Sequence, residues 1–561
     1  MSGQPSFFAG LSQHLILAPF LLPMFTAALM LLLDEKQRRL KAVMNSVSAA
    51  MCLMAAVVLL QRTGGPDGAG ATSVYLAANW AAPFGITLVA DRLSTLMLVL
   101  GGVLGLASAM FSAARWDKAG VHFHPLFQLQ LMGLNGAFLT GDLFNLFVCF
   151  EIMLAASYGL LLHGSGRTRV QAGLHYIAIN LAASSLFLIG AAMLYGVTGT
   201  LNMADMAARI AQVAPADRGL LHAAAAILSV AFLAKAAMWP LNFWLVPAYG
   251  NATAPVGALF AILTKVGIYT IVRLWTLMFP GTAGDSAYFG GDWLFWGGIA
   301  TLTFGAIGML GSQRPGYLAG FAIITSSGTL LAAASFGQAE LTAGALYYLL
   351  SSTLAASIFL LLTDVVERWR NDGSTFAPYE SPDDAPFLSA DFSSTVGVNL
   401  DEEEEVLIGR PIPAAAAFLG LAFLCCALLI AGLPPLSGFL GKFAMLSAVL
   451  GHEAPATNGW IFMGALLASG LVAMIALSRV GIRTFWATSH RAAPQLRLIE
   501  GVPLAALVIA CVMLTVQADT VMRYTASTAR ALHEPVGYIT AVLSAKPRPG
   551  PAATPATEAK P

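Results

Sequence analysis

Hydrophobic residues are grouped along this chain in long blocks that short polar joins separate. A block of about 20 residues is the length that an α-helix needs to cross the ~30 Å hydrocarbon core of a bilayer. Since such helices satisfy their own backbone hydrogen bonds, the pattern predicts an all-α polytopic membrane protein. Fourteen segments are expected to span the membrane: residues 11–33, 42–60, 93–114, 125–140, 143–163, 170–196, 221–247, 253–279, 293–311, 317–336, 341–366, 413–450, 460–487 and 501–517.

Composition narrows the classes of function. Of the 561 residues, 57% are apolar and 10% are charged, against the roughly 25% charged residues of soluble domains. The 29 basic and 29 acidic residues cancel, so no basic surface for nucleic acid is expected. The five cysteines lie inside apolar blocks, and the chain has no phosphate-binding loop or dinucleotide fingerprint. We therefore expect no metal, no cofactor and no enzyme activity.

Lysines and arginines indicate the orientation. Sixteen of the 29 lie in alternate loops that begin with the loop after the first span, and nine lie on the other side. Because cytoplasmic loops are enriched in Lys and Arg, the richer side is assigned to the cytoplasm. Both termini are then expected to face outward.

Four ionisable side chains lie at bilayer depth, where a charge is expensive and marks function by default. Glu151 is the only carboxylate well inside a predicted span, and Lys235, Lys265 and Lys442 lie in the seventh, eighth and twelfth spans. We expect these four residues to carry protons, because an amine can bind and release a proton and a nearby carboxylate stabilises its charged form.

Other polar residues of the spans are expected to have lesser roles. Arg273 and Asp364 lie near span ends, which favours a structural role, and the pair His122 and His124 lacks a third metal ligand. Some hydroxyls could link the four proton sites through water or could simply pack helices together. These are Ser326, Ser327, Thr264 and Thr353.

Prolines interrupt two of the spans that carry a lysine. Pro240 follows Lys235 by five residues, and Pro434 and Pro435 precede Lys442. Each interruption frees backbone groups that must be satisfied by protein or water. The two broken spans are the seventh and the twelfth, and their odd separation predicts inverted five-helix repeats over spans 4–8 and 9–13.

The repeats imply four regions. Residues 1–124 form an N-terminal three-helix segment, 125–279 the first repeat, 280–487 the second repeat, and 488–561 the last helix and a tail. The second repeat includes an acidic loop at 367–411 that is expected to be solvated. A small hairpin is predicted within 61–91, a short helix within 200–219, and disorder after residue 546.

These residues resemble the proton-conducting membrane subunits that respiratory complex I shares with multisubunit cation/proton antiporters. The resemblance covers almost all of residues 11–520 and rests on Glu151, on Lys265, and on Lys235 and Lys442 beside the segments 240–247 and 434–439. Within that family the chain is most similar to the D-type subunits of the Mrp/Mnh/Pha antiporters. The stretches 236–244 and 478–486 are typical of the potassium-associated Pha-like branch.

The resemblance implies a Glu151–Lys235 pair that feeds a central Lys265 and an exit Lys442. It also implies a bacterial inner membrane, partner subunits of the A, C, E, F and G types, and exchange of protons for K⁺ or Na⁺. Two positions depart from the pattern. Complex I relatives often have His where this chain has Asn242, and the eleventh span lacks the lysine that some relatives carry there.

Two other functions remain open at this point. The chain could pump protons within an NADH dehydrogenase or hydrogenase complex, which flavin and iron–sulfur subunits encoded nearby would indicate. It could also be a scaffold whose buried charges only hold subunits together. A scaffold would tolerate Lys→Arg changes, whereas a carrier that must deprotonate would not.

Overall fold

A computed structural model describes residues 14–65, 72–372, 413–451, 457–486 and 494–547. The expectations for the acidic run at 401–405 and for the tail fall outside the described residues. Within these ranges the chain forms the helices α1 Ala18–Leu32, α2 Arg38–Thr63, α3 Arg92–Ser112, α4 Phe123–Leu139, α5 Leu143–Leu161, α6 Arg167–Thr198, α7 Met203–Ile210, α8 Arg218–Lys235, α9 Leu245–Asn251, α10 Ala254–Phe260, α11 Leu263–Met278, α12 Gly291–Gly311, α13 Pro315–Ala334, α14 Ala339–Asp372, α15 Ala414–Ala431, α16 Ser437–Leu450, α17 Thr457–Gly481, α18 Leu498–Val516, α19 Ala518–His533 and α20 Val536–Leu543.

The prediction of an all-α membrane protein is confirmed. Thirteen helical segments of the described chain are long and apolar enough to cross a membrane, and they match thirteen of the predicted spans. The fourth predicted span forms α4, which has only 17 residues. It carries Gln128, Gln130 and Asn135, all buried. These polar side chains are tolerated because neighbouring helices rather than lipid surround α4.

Two smaller elements that the loop patterns predicted are present. Strands β1 (Ser73–Leu76) and β2 (Thr87–Ala90) pair antiparallel as a hairpin. The short helix α7 follows Asn202, whose side chain accepts from the backbone N–H groups that begin this helix. The same amide donates to Thr87 Oγ1 at 3.1 Å, which joins α7 to the hairpin.

Two helices after the last span were missed by the hydrophobic pattern. We call α19 and α20 together the C-terminal strap. Tyr524 Oη donates to the Arg92 carbonyl at 3.0 Å, and His533 Nε2 lies 2.9 Å from Thr342 Oγ1. These contacts are at the starts of α3 and α14, so the strap lies across one side of the bundle.

A cluster of charges joins helix ends on the opposite side. Glu500, in the first turn of α18, pairs with Arg368 of α14 at 2.8 Å and with Arg115 at 3.7 Å. Asp364 pairs with Arg368 at 3.2 Å. Glu500 is only 1% exposed, so breaking this cluster would leave a buried charge without its partner. Asp364 therefore has the structural partners expected of a span end.

Candidate functional site

The carboxylate of Glu151 lies between two helices of the first repeat. It projects from α5, is half-buried, and accepts a hydrogen bond from the Ser184 hydroxyl of α6. Lys235 is the last residue of α8, and its ammonium nitrogen lies 4.9 Å from the centre of the Phe150 ring. Glu151 and Lys235 are not in direct contact among the ion pairs of the described residues, although Phe150, the ring beside Lys235, directly precedes Glu151 in α5.

The seventh span is broken directly after Lys235. The chain turns through Ala237, which has a positive φ of 56°, and becomes helical again at Leu245. The backbone N–H of Trp239 donates to Thr301 Oγ1 of α12 at 2.8 Å, so a neighbouring helix supplies the hydrogen bond that the broken helix lacks. The predicted interruption is thus present, and it places Lys235 at the end of a half-helix.

A small cavity lies beside Lys235. Its volume is about 30 Å³, and its lining includes Tyr176, Asn180 and Trp244. That is room for a water molecule, since about 10–15 Å³ suffices when polar groups are at hand. The lining also includes Leu263 of α11, the helix that carries Lys265. The cavity therefore leads from the broken seventh span toward the eighth.

Lys265 is held by hydroxyl groups alone. It is 1% exposed, and its ammonium donates to Ser326 Oγ at 2.5 Å and to Ser327 Oγ at 3.4 Å, both on α13. The eighth span is itself interrupted at residues 261–262, just before the lysine. Sequence reasoning missed this interruption because no proline marks it.

Lys442 folds back onto the broken end of the twelfth span. Its ammonium donates to the carbonyls of Ala431 at 2.9 Å and Ile430 at 3.4 Å, at the C-terminus of α15. Free carbonyls at a helix C-terminus carry partial negative charge and favour a cation. A Cβ on Gly432, which has φ +75°, would lie 2.5 Å from Lys442 Cδ, so only glycine leaves room for this side chain.

A second cavity joins Lys442 to the partner of Lys265. It has a volume of about 20 Å³ and is lined by Lys442, Ser326, Tyr348, Ser352 and Ser469, among others. The Lys265 ammonium donates to this same Ser326. Ser326 thus contacts Lys265 and also lines the cavity beside Lys442, which has room for a water molecule.

The sequence predicted the lysines, but only some of the hydroxyl groups that contact them. Of the four hydroxyls proposed as links, Ser326 and Ser327 contact Lys265. Thr353 instead donates to the Leu349 carbonyl of its own helix, and Thr264 Oγ1 has no hydrogen-bond partner in the described chain. Tyr348, Ser352 and Ser469 line the cavity beside Lys442. They were not singled out from the sequence, because hydroxyls are common in spans and a sequence gives no register between distant helices.

His122, which directly precedes α4, and His124, in the first turn of α4, have separate partners. His122 Nδ1 lies 3.2 Å from Glu35 Oε1, and His124 Nδ1 lies 3.2 Å from Asn45 Nδ2. No group of three potential metal ligands occurs among the residues that the structure describes.

A family model and several curated proteins match this chain. The model described as "NADH:quinone oxidoreductase/Mrp antiporter, TM" matches residues 140–381. A probable K⁺/H⁺ antiporter subunit of the D type from Rhizobium meliloti is 50% identical, with 96% of this chain and 99% of that protein covered. A D-type Na⁺/H⁺ antiporter subunit from Alkalihalophilus pseudofirmus is 31% identical over 95% of this chain and 99% of its own length.

Solved structures share the fold. A chain of the Mrp complex from a Dietzia species is 26% identical with a TM-score of 0.76, over 95% of this chain and 99% of that one. A chain of respiratory complex I from Thermus thermophilus has a TM-score of 0.71 at 20% identity, over 94% of this chain and 99% of that one. The latter likeness concerns the fold alone.

Proposed function

Because the chain belongs to the family of D-type subunits of monovalent cation/proton antiporters, we propose that it is the proton-translocating subunit of a multisubunit K⁺/H⁺ or Na⁺/H⁺ antiporter. In this proposal Glu151, Lys235, Lys265 and Lys442 carry protons along a buried axis. The 50% identity to a probable K⁺/H⁺ antiporter subunit favours K⁺ as the exchanged cation.

The connection between Lys265 and Lys442 is the observation that carries the proposal. A scaffold would need only charges that are neutralised, whereas a proton path also needs polar groups and water between its stations. Ser326 accepts from Lys265 and faces the cavity that Lys442 lines. The Ser326 hydroxyl donates its own proton to the Ile323 carbonyl at 3.0 Å. In our proposal this hydroxyl rotates toward the cavity when it relays a proton, since a hydroxyl can both accept and donate.

The first repeat supplies the other half of the path. In our proposal Glu151 and Lys235 act as a pair, and the cavity beside Lys235 reaches α11. A movement that brings the carboxylate closer would favour protonation of the lysine, and separation would favour release. In our proposal the first repeat comprises residues 125–279 and the second 280–487.

The setting in the cell is also part of the proposal. We place the protein in a bacterial inner membrane with both termini outside, because the side richer in Lys and Arg is cytoplasmic. Subunits of the A, C, E, F and G types are its expected partners. The curated relatives described above are antiporter subunits, and the likeness to complex I does not assign this chain an NADH dehydrogenase activity.

Exchange measured in inverted membrane vesicles tests the proposal. With the whole antiporter expressed, adding K⁺ or Na⁺ should dissipate an imposed pH gradient. Glu151→Ala, Lys235→Ala and Lys265→Ala should abolish this response, because each removes a proton station. Lys442→Arg should abolish it too, since a guanidinium keeps the charge but does not release its proton.

Two controls make the result decisive. Each variant must reach the membrane and co-purify with the other subunits as the wild type does. Lys546→Arg, on the segment after the strap and outside the proposed path, should exchange normally. Normal exchange by an assembled Lys442→Arg variant would show that Lys442 is only a structural charge.

A further inference from the structure

A polar stripe runs along α11 from Lys265 toward the side covered by the C-terminal strap. Lys265, Tyr269 and Arg273 are spaced four residues apart, so they lie on one face of the helix. Eight residues of helix put Arg273 about 12 Å along the axis from Lys265. In the proposed orientation Arg273 is at the outer end of this stripe.

Arg273 is fixed there by a buried ion pair. Its Nη2 lies 2.6 Å from Asp91 Oδ2 and 2.7 Å from Asp91 Oδ1, and its side chain is only 6% exposed. Asp91 Oδ1 also accepts from the backbone N–H of Ser94 at 2.9 Å and thereby caps α3. The pair thus joins the end of the eighth span to the start of the third.

Two tyrosine rings flank the guanidinium. The Arg273 Cζ lies 5.8 Å from the centre of the Tyr269 ring and 5.1 Å from that of Tyr538. Tyr538 belongs to the strap and is 7% exposed. One ring therefore comes from the helix of Lys265 and the other from a segment outside the spans, and together they cover the guanidinium.

We propose that Asp91 and Arg273, covered by Tyr538, seal the outer end of the Lys265 stripe against protons and cations. This proposal rests on the proposed function, because a seal matters only if Lys265 carries protons. Arg273 cannot relay a proton, since a guanidinium does not release one. Both carboxylate oxygens of Asp91 are engaged by Nη2 of Arg273, so neither oxygen is free to relay one. Protons must then leave by another route, and Lys442 provides it.

The proton leak of vesicles that contain the whole antiporter tests the seal. The decay of an imposed pH gradient is measured without K⁺ or Na⁺, so that exchange does not contribute. Arg273→Gln removes the positive charge that lies about 12 Å along α11 from Lys265 and leaves Asp91 as an unpaired carboxylate. At an effective dielectric constant of about 20, one unit charge at about 12 Å changes a local proton concentration by about tenfold. We expect the leak to increase by about that factor.

Variants of the covering ring test the same seal with the ion pair intact. Tyr538→Ala should increase the leak because it admits water to the guanidinium, whereas Tyr538→Phe keeps the ring and should leave the leak unchanged. Arg218→Gln is the matched control: Arg218 pairs with Asp285 at 3.1 Å, but Asp285 is 90% exposed and the pair covers no buried stripe. This control should not leak.

A double variant controls for misfolding of the Arg273→Gln variant. Asp91→Asn with Arg273→Gln leaves no buried unpaired charge, so it should assemble even where Arg273→Gln alone does not, and it should still leak. A wild-type leak in the assembled double variant and in Tyr538→Ala would overturn the seal. The proposed function fails separately, if wild-type vesicles show no response to K⁺ or Na⁺.

Discussion

At the residue scale, the three lysines of the proposed path are held without direct contact to a carboxylate. Lys235 lies over an aromatic ring, Lys265 donates to two hydroxyls, and Lys442 donates to carbonyls at a helix end. Neutral partners hold an ammonium less strongly than a carboxylate does, because charge-assisted pairs are about twice as strong. Each lysine can therefore remain in place while its proton is given up, which a permanent salt bridge would oppose.

The two serines beside Lys265 allow a paired test. Ser326 accepts at 2.5 Å and also faces the cavity of Lys442, whereas Ser327 accepts at 3.4 Å and does not line that cavity. A hydrogen bond to a charged group contributes about 1.5–3 kcal/mol. If that energy is lost from the transfer step, Ser326→Ala should slow exchange by roughly tenfold to a hundredfold.

Ser327→Ala is the control for this measurement and should retain most of the wild-type rate. Initial rates of cation-induced pH recovery, normalised to the amount of assembled complex, give the comparison. Equal rates in the two variants would mean that the path from Lys265 does not pass through Ser326.

The sequence predicted those residues whose side chains are costly to place in hydrocarbon. A lysine or glutamate in hydrocarbon stands out in any sequence, so Glu151, Lys235, Lys265 and Lys442 could be selected. The groups that hydrogen-bond to these four side chains could not be predicted in this way. The carbonyl of Ala431 belongs to the backbone and leaves no trace in the residue pattern, and Ser184 looks like any other small helix residue.

At the element scale, the site depends on half-helices that end within the bundle. Prolines in the sequence predicted the breaks in the seventh and twelfth spans, because a proline cannot donate the helical hydrogen bond. The break before Lys265 has no proline and was not predicted. The strap was missed for other reasons. Helix α19 has one apolar face rather than a continuous apolar block, and α20 is apolar but has only eight residues, so neither has the signal of a span.

Close packing at the seventh-span break predicts an unusually sensitive glycine. A Cβ on Gly267 of α11 would lie 2.7 Å from the Ala236 nitrogen and 2.9 Å from the Phe232 carbonyl, both backbone atoms. Gly267→Ala must push α11 away from α8, which we expect to destabilise the fold by about 1–3 kcal/mol. It should also disturb the space between Lys235 and Lys265, so exchange should fall more than assembly does.

Gly257 of α10 provides the matched control. It is buried too, but a Cβ there would meet its nearest atom, Leu360 Cδ2, at an ordinary 3.6 Å. Thermal unfolding of the detergent-purified complex should show a lower midpoint for Gly267→Ala and little change for Gly257→Ala. Similar midpoints in the two variants would argue against tight contact between α8 and α11.

At the scale of the whole molecule, the two sides of the bundle are fastened in different ways. The side opposite the strap is held by the charged cluster around Glu500, which contains Arg115 and Arg368. The strap side is held by polar contacts from a segment that lies outside the spans, among them His533 with Thr342. Since histidine is the side chain that changes charge near neutral pH, the contact of His533 with Thr342 gives the strap a group that can respond in this range.

The attachment of the strap is therefore expected to weaken in acid. Burial lowers the pKa of His533 below its ordinary value of 6.5, although Glu340 opposes this in part. The folded protein thus favours the neutral imidazole. The stabilisation that neutral His533 gives to the attachment of the strap is fully present above pH 6.5. It is lost as the pH falls through the lowered pKa. Within that window the strap should open up to about tenfold more often for each unit by which the pH falls.

Hydrogen–deuterium exchange across 518–543, corrected for intrinsic rates, measures this opening. His533→Gln, which cannot titrate, should remove the pH dependence of the opening. Equal protection of the wild-type strap at pH 8 and pH 5 would contradict the role assigned to His533.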